Sequence, residues 1–299
     1  MTATIFSVNR ASLHDGPGVR TVIYIKGCPL RCQWCHNPEG FRDTPEILFY
    51  RERCIGCGRC TEVCSSCFSR KADGVVFNRT FCTGCGKCAA TCPNDALIPA
   101  GEEYSPVRAF EIVQRDKVYF DFTGGGVTFS GGECLLKPEF VAETARLCAA
   151  KNIHTVVETA LGVPFSAVEK VLNVNMFLID IKTMDSSLHK RMTGVGNELI
   201  LDNIRRISRL HKHIIIRVPL IPGVNDDEKS VAGIAQFISD TGGGLCGLEL
   251  LKYNNLARSK YQALDISMSF YAENTQSDET IRRLTQVAQT ILPKSILLL

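Results

Sequence analysis

The sequence has little net charge, no long hydrophobic run and no secretory start. Its 34 Lys and Arg against 31 Asp and Glu leave a net charge of +3. This balance does not indicate a nucleic-acid partner, and we expect none. No apolar run approaches the roughly 20 residues that span a bilayer, and residues 1–7 lack a basic segment leading into an apolar one. With 45% apolar and 22% charged residues, these absences predict a cytoplasmic globular protein without a membrane partner, built as one large domain or two smaller ones.

Cysteine, by contrast, is abundant, with 15 in 299 residues. Without an export signal, disulfide bonds are not the favoured use of so many thiols. Closely spaced cysteines in a reducing compartment indicate metal or iron–sulfur ligation instead. Because oxygen attacks exposed clusters, we also expect an anaerobic or microaerobic setting.

Three of the cysteines, Cys28, Cys32 and Cys35, lie on one short loop, residues 27–37. A cubane [4Fe–4S] cluster takes four ligands, so three thiolates leave one iron open to a chelating small molecule. The spacing resembles the signature of the radical SAM enzymes, in which the open iron holds S-adenosylmethionine (SAM). A zinc knuckle and buried structural cysteines are the alternatives on this loop alone.

Residues 50–100 contain two copies of a cysteine run with a period of 28 positions. Both follow the C-x2-C-x2-C-x3-C pattern of bacterial two-cluster ferredoxins, in which the fourth cysteine serves the other cluster. The pattern therefore predicts two further [4Fe–4S] clusters, held by Cys54, Cys57, Cys60 and Cys92 and by Cys82, Cys85, Cys88 and Cys64. In the first copy Ser65 stands where proline would follow, and the nearby Cys67 is an alternative to Cys64. Four-cysteine zinc sites are the other interpretation.

The remaining chain alternates apolar strands with helices. Strands are predicted over residues 21–26, 127–129, 155–159, 176–182, 213–219 and 247–252. Helices are predicted over residues 138–150, 164–172, 202–211, 226–239 and 277–291. Strands separated by helices form parallel βαβ units. We therefore predict an α/β fold: a partial (β/α)6 TIM-like barrel of the radical SAM type over residues 1–48 and 101–299, with residues 49–100 as an inserted ferredoxin-like α+β domain.

The ends of the predicted strands carry residues suited to chemistry. In β/α barrels the active site lies at the carboxyl ends of the strands, so these side chains should meet at one mouth. They are Cys28, Glu133, Glu158, Asp180, Arg217 and Tyr253 with Asn254.

Several motifs together resemble the glycyl-radical-enzyme activating enzymes, in the subgroup with a ferredoxin-like insertion. They are Asp-Gly-Pro-Gly-Val-Arg-Thr at 15–21, the cysteine loop with Trp34 and His-Asn-Pro-Glu at 36–39, the stretch 124–133, Asp-Ile-Lys at 180–182, Thr-Gly-Val at 193–195 and residues 217–223. The resemblance covers nearly the whole chain and is least diagnostic beyond residue 262.

The resemblance implies that SAM is reductively cleaved to a 5′-deoxyadenosyl radical, which removes a Cα hydrogen from a glycine of a partner glycyl radical enzyme. It implies three [4Fe–4S] clusters, SAM, a flavodoxin or ferredoxin as electron donor, and a monomer that docks transiently on its partner.

The resemblance also assigns site residues. The catalytic set is Cys28, Cys32, Cys35 and Lys182. The expected SAM contacts are Trp34, Cys35, His36, Gly131, Gly132, Glu133, Asp180, Ile181, Lys182, Arg217 and Asn254. The expected ligands of a monovalent cation, Na⁺ or K⁺, are Glu158, Thr159 and Asp180, with the Leu178 carbonyl as an addition. Lys182 and Arg217 would neutralise the SAM carboxylate or else be solvated or structural charges, and Asn254 stands where the family often has His.

Two other functions stay open at this point. One is a radical SAM enzyme that acts on a small molecule, which a closed pocket would favour over a protein substrate. The other is a ferredoxin-type electron carrier with a degenerate barrel. The strand-end residues argue against the second, since an electron carrier needs none of them.

Overall fold

The computed structural model describes residues 1–72 and 74–298 and is built around one large sheet. In chain order the strands are β1 Ala3–Ser12, β2 Arg20–Ile25, β3 Glu46–Phe49, β4 Phe68–Lys71, β5 Gly74–Phe77, β6 Leu97–Ala100, β7 Glu102–Tyr104, β8 Gly126–Gly131, β9 His154–Thr159, β10 Met176–Asp180, β11 Ile214–Pro219, β12 Leu245–Leu251 and β13 Leu297–Leu298. The helices are α1 Arg59–Val63, α2 Lys87–Ala90, α3 Pro106–Gln114, α4 Lys117–Thr123, α5 Pro138–Ala149, α6 Phe165–Glu169, α7 Ser186–Thr193, α8 Glu198–Ser208, α9 Glu228–Thr241, α10 Arg258–Ala263 and α11 Asp278–Ile291.

The sheet has nine strands in the order β13-β12-β11-β10-β9-β8-β2-β1-β7. The six predicted strands, β2 and β8 to β12, are neighbours in chain order and pair in parallel. This confirms the α/β fold with a parallel sheet of the radical SAM type. Because the carboxyl ends of parallel strands share one edge, the predicted functional residues are brought to the same side of the molecule.

The antiparallel edge of the sheet was not predicted from the sequence. Strand β1 pairs antiparallel with β2 on one side and with β7 on the other. Its inward residues Ala3 and Ile5 are buried, while most of its second half is exposed. Apolar and polar residues alternate only weakly along β1, so its sequence gives little indication of a strand. Its pairing with β7 joins positions about 100 residues apart, which no local pattern predicts.

Two helices differ from their predicted ranges. Helix α8 begins at Glu198 rather than at 202, because Ile200, Leu201, Ile204 and Ile207 form its buried face. Helix α6 covers only Phe165–Glu169, and the rest of the predicted helix is a turn. The other predicted helices, α5, α9 and α11, lie within two residues of their predicted bounds.

The cysteine-rich segment has a small apolar core of its own. Strands β3 and β6 pair antiparallel at its base, and β4 and β5 form a hairpin. Phe68 and Phe77 stack with ring centroids 4.5 Å apart, and Phe49 packs edge-on against both. Four inserted cysteines, Cys54, Cys64, Cys82 and Cys92, pack against this cluster.

None of the helices in the described part of the chain is both long and apolar enough to cross a membrane.

Candidate active site

A cavity of about 380 Å³ opens at the carboxyl ends of the parallel strands. It brings together most of the residues that the sequence singles out, contributed by the loop after β2 and by the ends of β8, β9, β10 and β12. The predicted residues lining it are Cys28, Cys32, Trp34, Cys35, His36, Gly131, Gly132, Glu158, Thr159, Asp180, Lys182 and Asn254. Three predicted residues, Glu133, Ile181 and Arg217, are absent from this lining, and each of them is buried.

The cysteine loop is held in place mainly by its backbone. The amide of Arg31 donates to the Thr193 carbonyl at 2.7 Å, and that of Gln33 donates to the Met192 carbonyl at 3.0 Å. The Thr-Gly-Val motif at 193–195 therefore supports the loop from the end of α7. Burial raises the pKa of the Cys28 thiol to about 12 and also raises the pKa of Cys32 and Cys35. Thiols held neutral in this way ionise when a metal binds them, which fits an iron–sulfur cluster.

Trp34 and His36 are fixed by residues near the chain's carboxyl terminus. Trp34 is buried, and Phe270 meets its ring edge-on at 6.3 Å. His36 Nε2 donates to the backbone carbonyl of Asn254 at 3.0 Å. Burial lowers the pKa of His36, and nearby Lys260 and Lys182 lower it further, so the ring is neutral at pH 7. Position 254 thus contacts the loop through its backbone carbonyl, which a residue of any type would provide.

Lys260 and Tyr261 were missed by the sequence analysis. Lys260 Nζ lies 3.1 Å from the His36 carbonyl, 3.0 Å from Asn37 Oδ1 and 2.6 Å from Glu39 Oε1. Burial raises the pKa of the adjacent Tyr261. No motif connects α10 with a loop more than 200 positions earlier, so only the tertiary structure reveals this contact.

The Gly-Gly-Glu turn after β8 is shaped by backbone contacts. A Cβ on Gly131 would lie 2.3 Å from the backbone nitrogen and oxygen of Ile25, and one on Gly132 would lie 2.2 Å from the Gly27 carbonyl oxygen. Gly131 also has φ +123°, which favours glycine. Glycine here therefore lets the turn pack directly against the start of the cysteine loop.

Glu133 faces the protein interior. Its carboxylate accepts hydrogen bonds from Thr159 Oγ1 at 2.7 Å, the Ala160 amide at 3.1 Å and the Leu135 amide at 3.2 Å. Burial raises the pKa of Glu133, while these three donors oppose the shift. In this arrangement the carboxylate joins the ends of β8 and β9.

The charged residues at the strand ends are paired with one another. Lys182 Nζ lies 2.9 Å from Asp180 Oδ2, and both side chains line the cavity. Burial opposes the charge of Lys182, but the Asp180 carboxylate favours it, and the pKa of Lys182 is raised. Arg217 is buried between Glu158, at 2.8 Å, and Glu249, at 2.7 Å.

The two carboxylates among the expected cation ligands therefore already have positive partners. Glu158 pairs with Arg217 and also accepts a hydrogen bond from Ser130 at 2.6 Å, and Asp180 pairs with Lys182. Within residues 1–72 and 74–298, no three His, Cys, Asp or Glu side chains are grouped to hold one metal ion.

The cysteines of the insertion fall into two groups. A second, small cavity is lined by all four residues of one predicted set, Cys54, Cys57, Cys60 and Cys92. In the other group, burial raises the pKa of Cys88 to about 11, with smaller increases from the thiolates of Cys82, Cys64 and Cys85. Each group thus contains the fourth cysteine of the opposite repeat.

Cys67 lies next to the second group and is more buried than Cys64. It is 4% exposed and packs in the apolar cluster of the insertion. The Ser66 hydroxyl lies 3.7 Å from Cys64 Sγ and 3.8 Å from Cys67 Sγ. Both thiols therefore lie near the same ligand position.

The fold and the three-thiol cavity define a class of α/β proteins that have a parallel sheet and a three-cysteine loop after its first parallel strand. Comparison with known proteins identifies the family within this class. A profile of the Radical SAM superfamily matches residues 54–233, and one described as a 4Fe-4S single cluster domain matches residues 14–55.

Curated relatives extend over nearly the whole chain. The (2S)-3-sulfopropanediol dehydratase activating enzyme of Klebsiella oxytoca is 40% identical over 88% of this chain and 85% of its own length. The isethionate sulfite-lyase activating enzyme of Nitratidesulfovibrio vulgaris is 37% identical over 97% of this chain and 96% of its own. The chain therefore belongs to the radical SAM superfamily and, within it, to the activating enzymes of glycyl radical enzymes.

A solved structure supports the fold alone. Streptococcus suis SuiB bound to precursor peptide SuiA superimposes with a TM-score of 0.56 at 13% identity, covering 95% of this chain and 49% of that chain.

Proposed function

We propose that this activating enzyme carries its SAM-binding [4Fe–4S] cluster on Cys28, Cys32 and Cys35. The carrying observation is the cavity at the strand ends, which has these three thiols on one wall and Asp180 and Lys182 on another. When bound, the cluster supplies the electron that cleaves SAM, and the resulting deoxyadenosyl radical takes a Cα hydrogen from a glycine of the partner enzyme. The chain's own residues bind SAM, orient it and exclude water.

The proposed SAM contacts follow from chemistry and position. Lys182 is a buried cation that lines the cavity and would pair with the SAM carboxylate. The backbone edge at Gly131 and Gly132 would accept the SAM amino group, since no side chain blocks it. Trp34 and His36 would pack against SAM from the loop. Glu133, Ile181 and Arg217 would act behind this surface, because each is buried outside the cavity lining.

The monovalent cation belongs to this proposal as well. If the SAM carboxylate takes Lys182, Asp180 loses its present partner and its oxygens need another cation. Asp180 with Glu158, Thr159 and the Leu178 carbonyl would supply the oxygen ligands that Na⁺ or K⁺ prefers. SAM binding should then strengthen when K⁺ or Na⁺ replaces a bulky organic cation at constant ionic strength. Equal SAM affinity in both salts would reject the cation site.

We also propose that residues 49–100 form a ferredoxin-like domain with two [4Fe–4S] clusters that relay electrons from a flavodoxin or ferredoxin. The four-thiol cavity at Cys54, Cys57, Cys60 and Cys92 supports one of these clusters. The proximity of Cys64 to Cys88 supports the exchange of fourth ligands between the repeats.

Paired cysteine variants test the exchange. Three clusters hold about 12 iron atoms. Cys54→Ala with Cys92→Ala should empty one cluster and leave about eight iron atoms, with the electron paramagnetic resonance (EPR) signal of the other inserted cluster unchanged. Cys54→Ala with Cys64→Ala should perturb both inserted clusters. If Cys54→Ala with Cys64→Ala empties one cluster and Cys54→Ala with Cys92→Ala perturbs both, Cys64 belongs to the first repeat's own cluster. Cys67→Ala tests whether Cys67 is the ligand in place of Cys64.

The partner is proposed to be a glycyl radical enzyme that this monomer docks on transiently in the cytoplasm. The relatives are named for enzymes acting on (2S)-3-sulfopropanediol and isethionate, and these two enzymes serve as the first candidate partners. The reduced protein, SAM and each candidate are mixed anaerobically, and EPR should show the doublet of a glycyl radical. Cys32→Ala serves as the negative control. SAM cleavage without a radical on any glycyl radical enzyme would favour a small-molecule substrate instead.

A further inference from the structure

Tyr261 presents a buried hydroxyl behind the cysteine loop. The residue is 3% exposed, and its oxygen has no hydrogen-bond partner among the described residues. Burying a hydroxyl without a partner costs free energy, so such groups are rare in folded proteins and call for an explanation.

The surroundings hold this hydroxyl against the loop. Tyr261 and Cys32 line one cavity of about 330 Å³ next to the main one, and the hydroxyl is also close to Cys35. The Phe41 ring meets the Tyr261 ring edge-on at 6.4 Å. Lys260, the preceding residue on the same helix, bonds to the loop and so fixes the position of α10 beside it.

The nearest charged group does not satisfy the hydroxyl. One carboxylate oxygen of Glu39 is taken by Lys260, and the other, Oε2, is buried without a partner in the described part of the chain. Glu39 Oε2 and the Tyr261 hydroxyl both lack partners in the described part of the chain, so they are not hydrogen-bonded to each other. The acceptor for the Tyr261 hydroxyl hydrogen should therefore lie on the side of the thiols.

We propose that Tyr261 is a positioning residue that donates its hydroxyl hydrogen to a sulfur of the cluster on Cys28, Cys32 and Cys35. This rests on the proposed function, because it requires a cluster on that loop. Hydrogen bonds to the sulfurs help to set the reduction potential of an iron–sulfur cluster. Reduction adds negative charge, so the bond favours the reduced cluster, raises its reduction potential and makes the cluster easier to load with an electron.

The test is Tyr261→Phe, which removes only the hydroxyl. Tyr50→Phe is the matched control, because Tyr50 is also a buried tyrosine and lies in one apolar cluster with Ala263 and Leu264, beside the same helix. Both variants and the parent protein are titrated anaerobically, and the loop cluster is followed through the EPR signal that changes when SAM is added. Pulsed EPR in D₂O then measures exchangeable deuterons near that cluster.

Tyr261→Phe should keep its full iron content but hold about tenfold less reduced loop cluster at a fixed potential, equivalent to about 59 mV for one electron. It should also lose one deuteron coupling that the parent and Tyr50→Phe retain. An unchanged potential and unchanged coupling in a fully loaded variant would overturn the proposal, and Glu39 or a water would then satisfy the hydroxyl. Failure of the proposed function looks different, because the parent protein itself would then lack a SAM-sensitive cluster.

Discussion

The charged side chains at the cavity and directly behind it are paired with one another. Lys182 pairs with Asp180, and Arg217 lies between Glu158 and Glu249. The two cations differ in access, however, since Lys182 lines the cavity and Arg217 does not. The carboxylate of SAM should therefore interact with Lys182 directly, while Arg217 holds the strand ends together.

Lys182→Met should weaken SAM binding about 10- to 100-fold, because a hydrogen bond to a charged group is lost. Binding is measured by anaerobic equilibrium dialysis against labelled SAM. Lys190→Met, an exposed lysine on α7, is the control and should leave the affinity unchanged. If Lys182→Met binds SAM as tightly as the parent with its fold intact, the lysine does not contact the ligand.

His154 gives the protein a pH-dependent stability. Burial lowers the pKa of His154 to about 4, and the charges of Arg20 and His213 add to the shift. Between pH 4 and 6.5 the unfolded chain therefore binds more protons at this position than the folded one, so stability rises with pH across that window.

His154→Gln should remove about 1–2 kcal/mol of the difference in unfolding free energy between pH 5 and pH 7.5. Anaerobic urea denaturation at the two pH values measures the change. His14→Gln, at an exposed histidine, is the matched control. An equal pH dependence in the parent and in His154→Gln would contradict the assignment.

At the scale of elements, the loops at the strand ends are joined by buried amide side chains. Asn225 is fully buried, and its Oδ1 accepts from the Ile221 amide at 2.6 Å. Its Nδ2 donates to the Lys182 carbonyl at 2.7 Å and to the Pro219 carbonyl at 2.8 Å. One side chain thus ties the end of β11 to the segment that carries the cavity's lysine.

Asn225→Ala should lower the free energy of unfolding by about 2–3 kcal/mol, because buried backbone groups lose their partners. It should also weaken SAM binding, since the Lys182 segment is no longer fixed. Urea denaturation and dialysis measure the two effects, with the exposed Gln236→Ala on α9 as the control. A loss of stability without any loss of SAM affinity would mean that Lys182 is positioned by other contacts.

At the scale of the whole molecule, helix α10 from the last part of the chain packs against the cysteine loop from the first part. Helix α10 comes after all six parallel strands, yet Lys260 contacts the backbone of His36 and the side chains of Asn37 and Glu39. The loop is therefore held by a segment that lies outside the motifs shared with the family.

Lys260→Met should leave the loop less well held and speed the release of its cluster several-fold. Loss of the SAM-sensitive EPR signal in the presence of an iron chelator measures the rate. Lys294→Met, at an exposed lysine near the carboxyl terminus, provides the control. Equal release rates in Lys260→Met and the parent would show that the loop backbone alone retains the cluster.

The sequence by itself determined the parallel sheet, the cysteine loop and the family. Strand and helix periodicity are local properties, and ligand spacing such as that of Cys28, Cys32 and Cys35 lies within one loop. Since the carboxyl ends of parallel strands meet at one edge, the positions of Asp180 and Lys182 in the cavity also followed from the sequence.

Only the tertiary structure decided which of these residues face the cavity and what supports them. Glu133 and Arg217 end their strands as predicted but lie outside the cavity lining, because partners on neighbouring strands hold them inside. The antiparallel strand β1 and the contacts of Lys260 and Tyr261 join positions about 100 to 220 residues apart. Contacts at such separations depend on how elements pack, and no local pattern of residues encodes them.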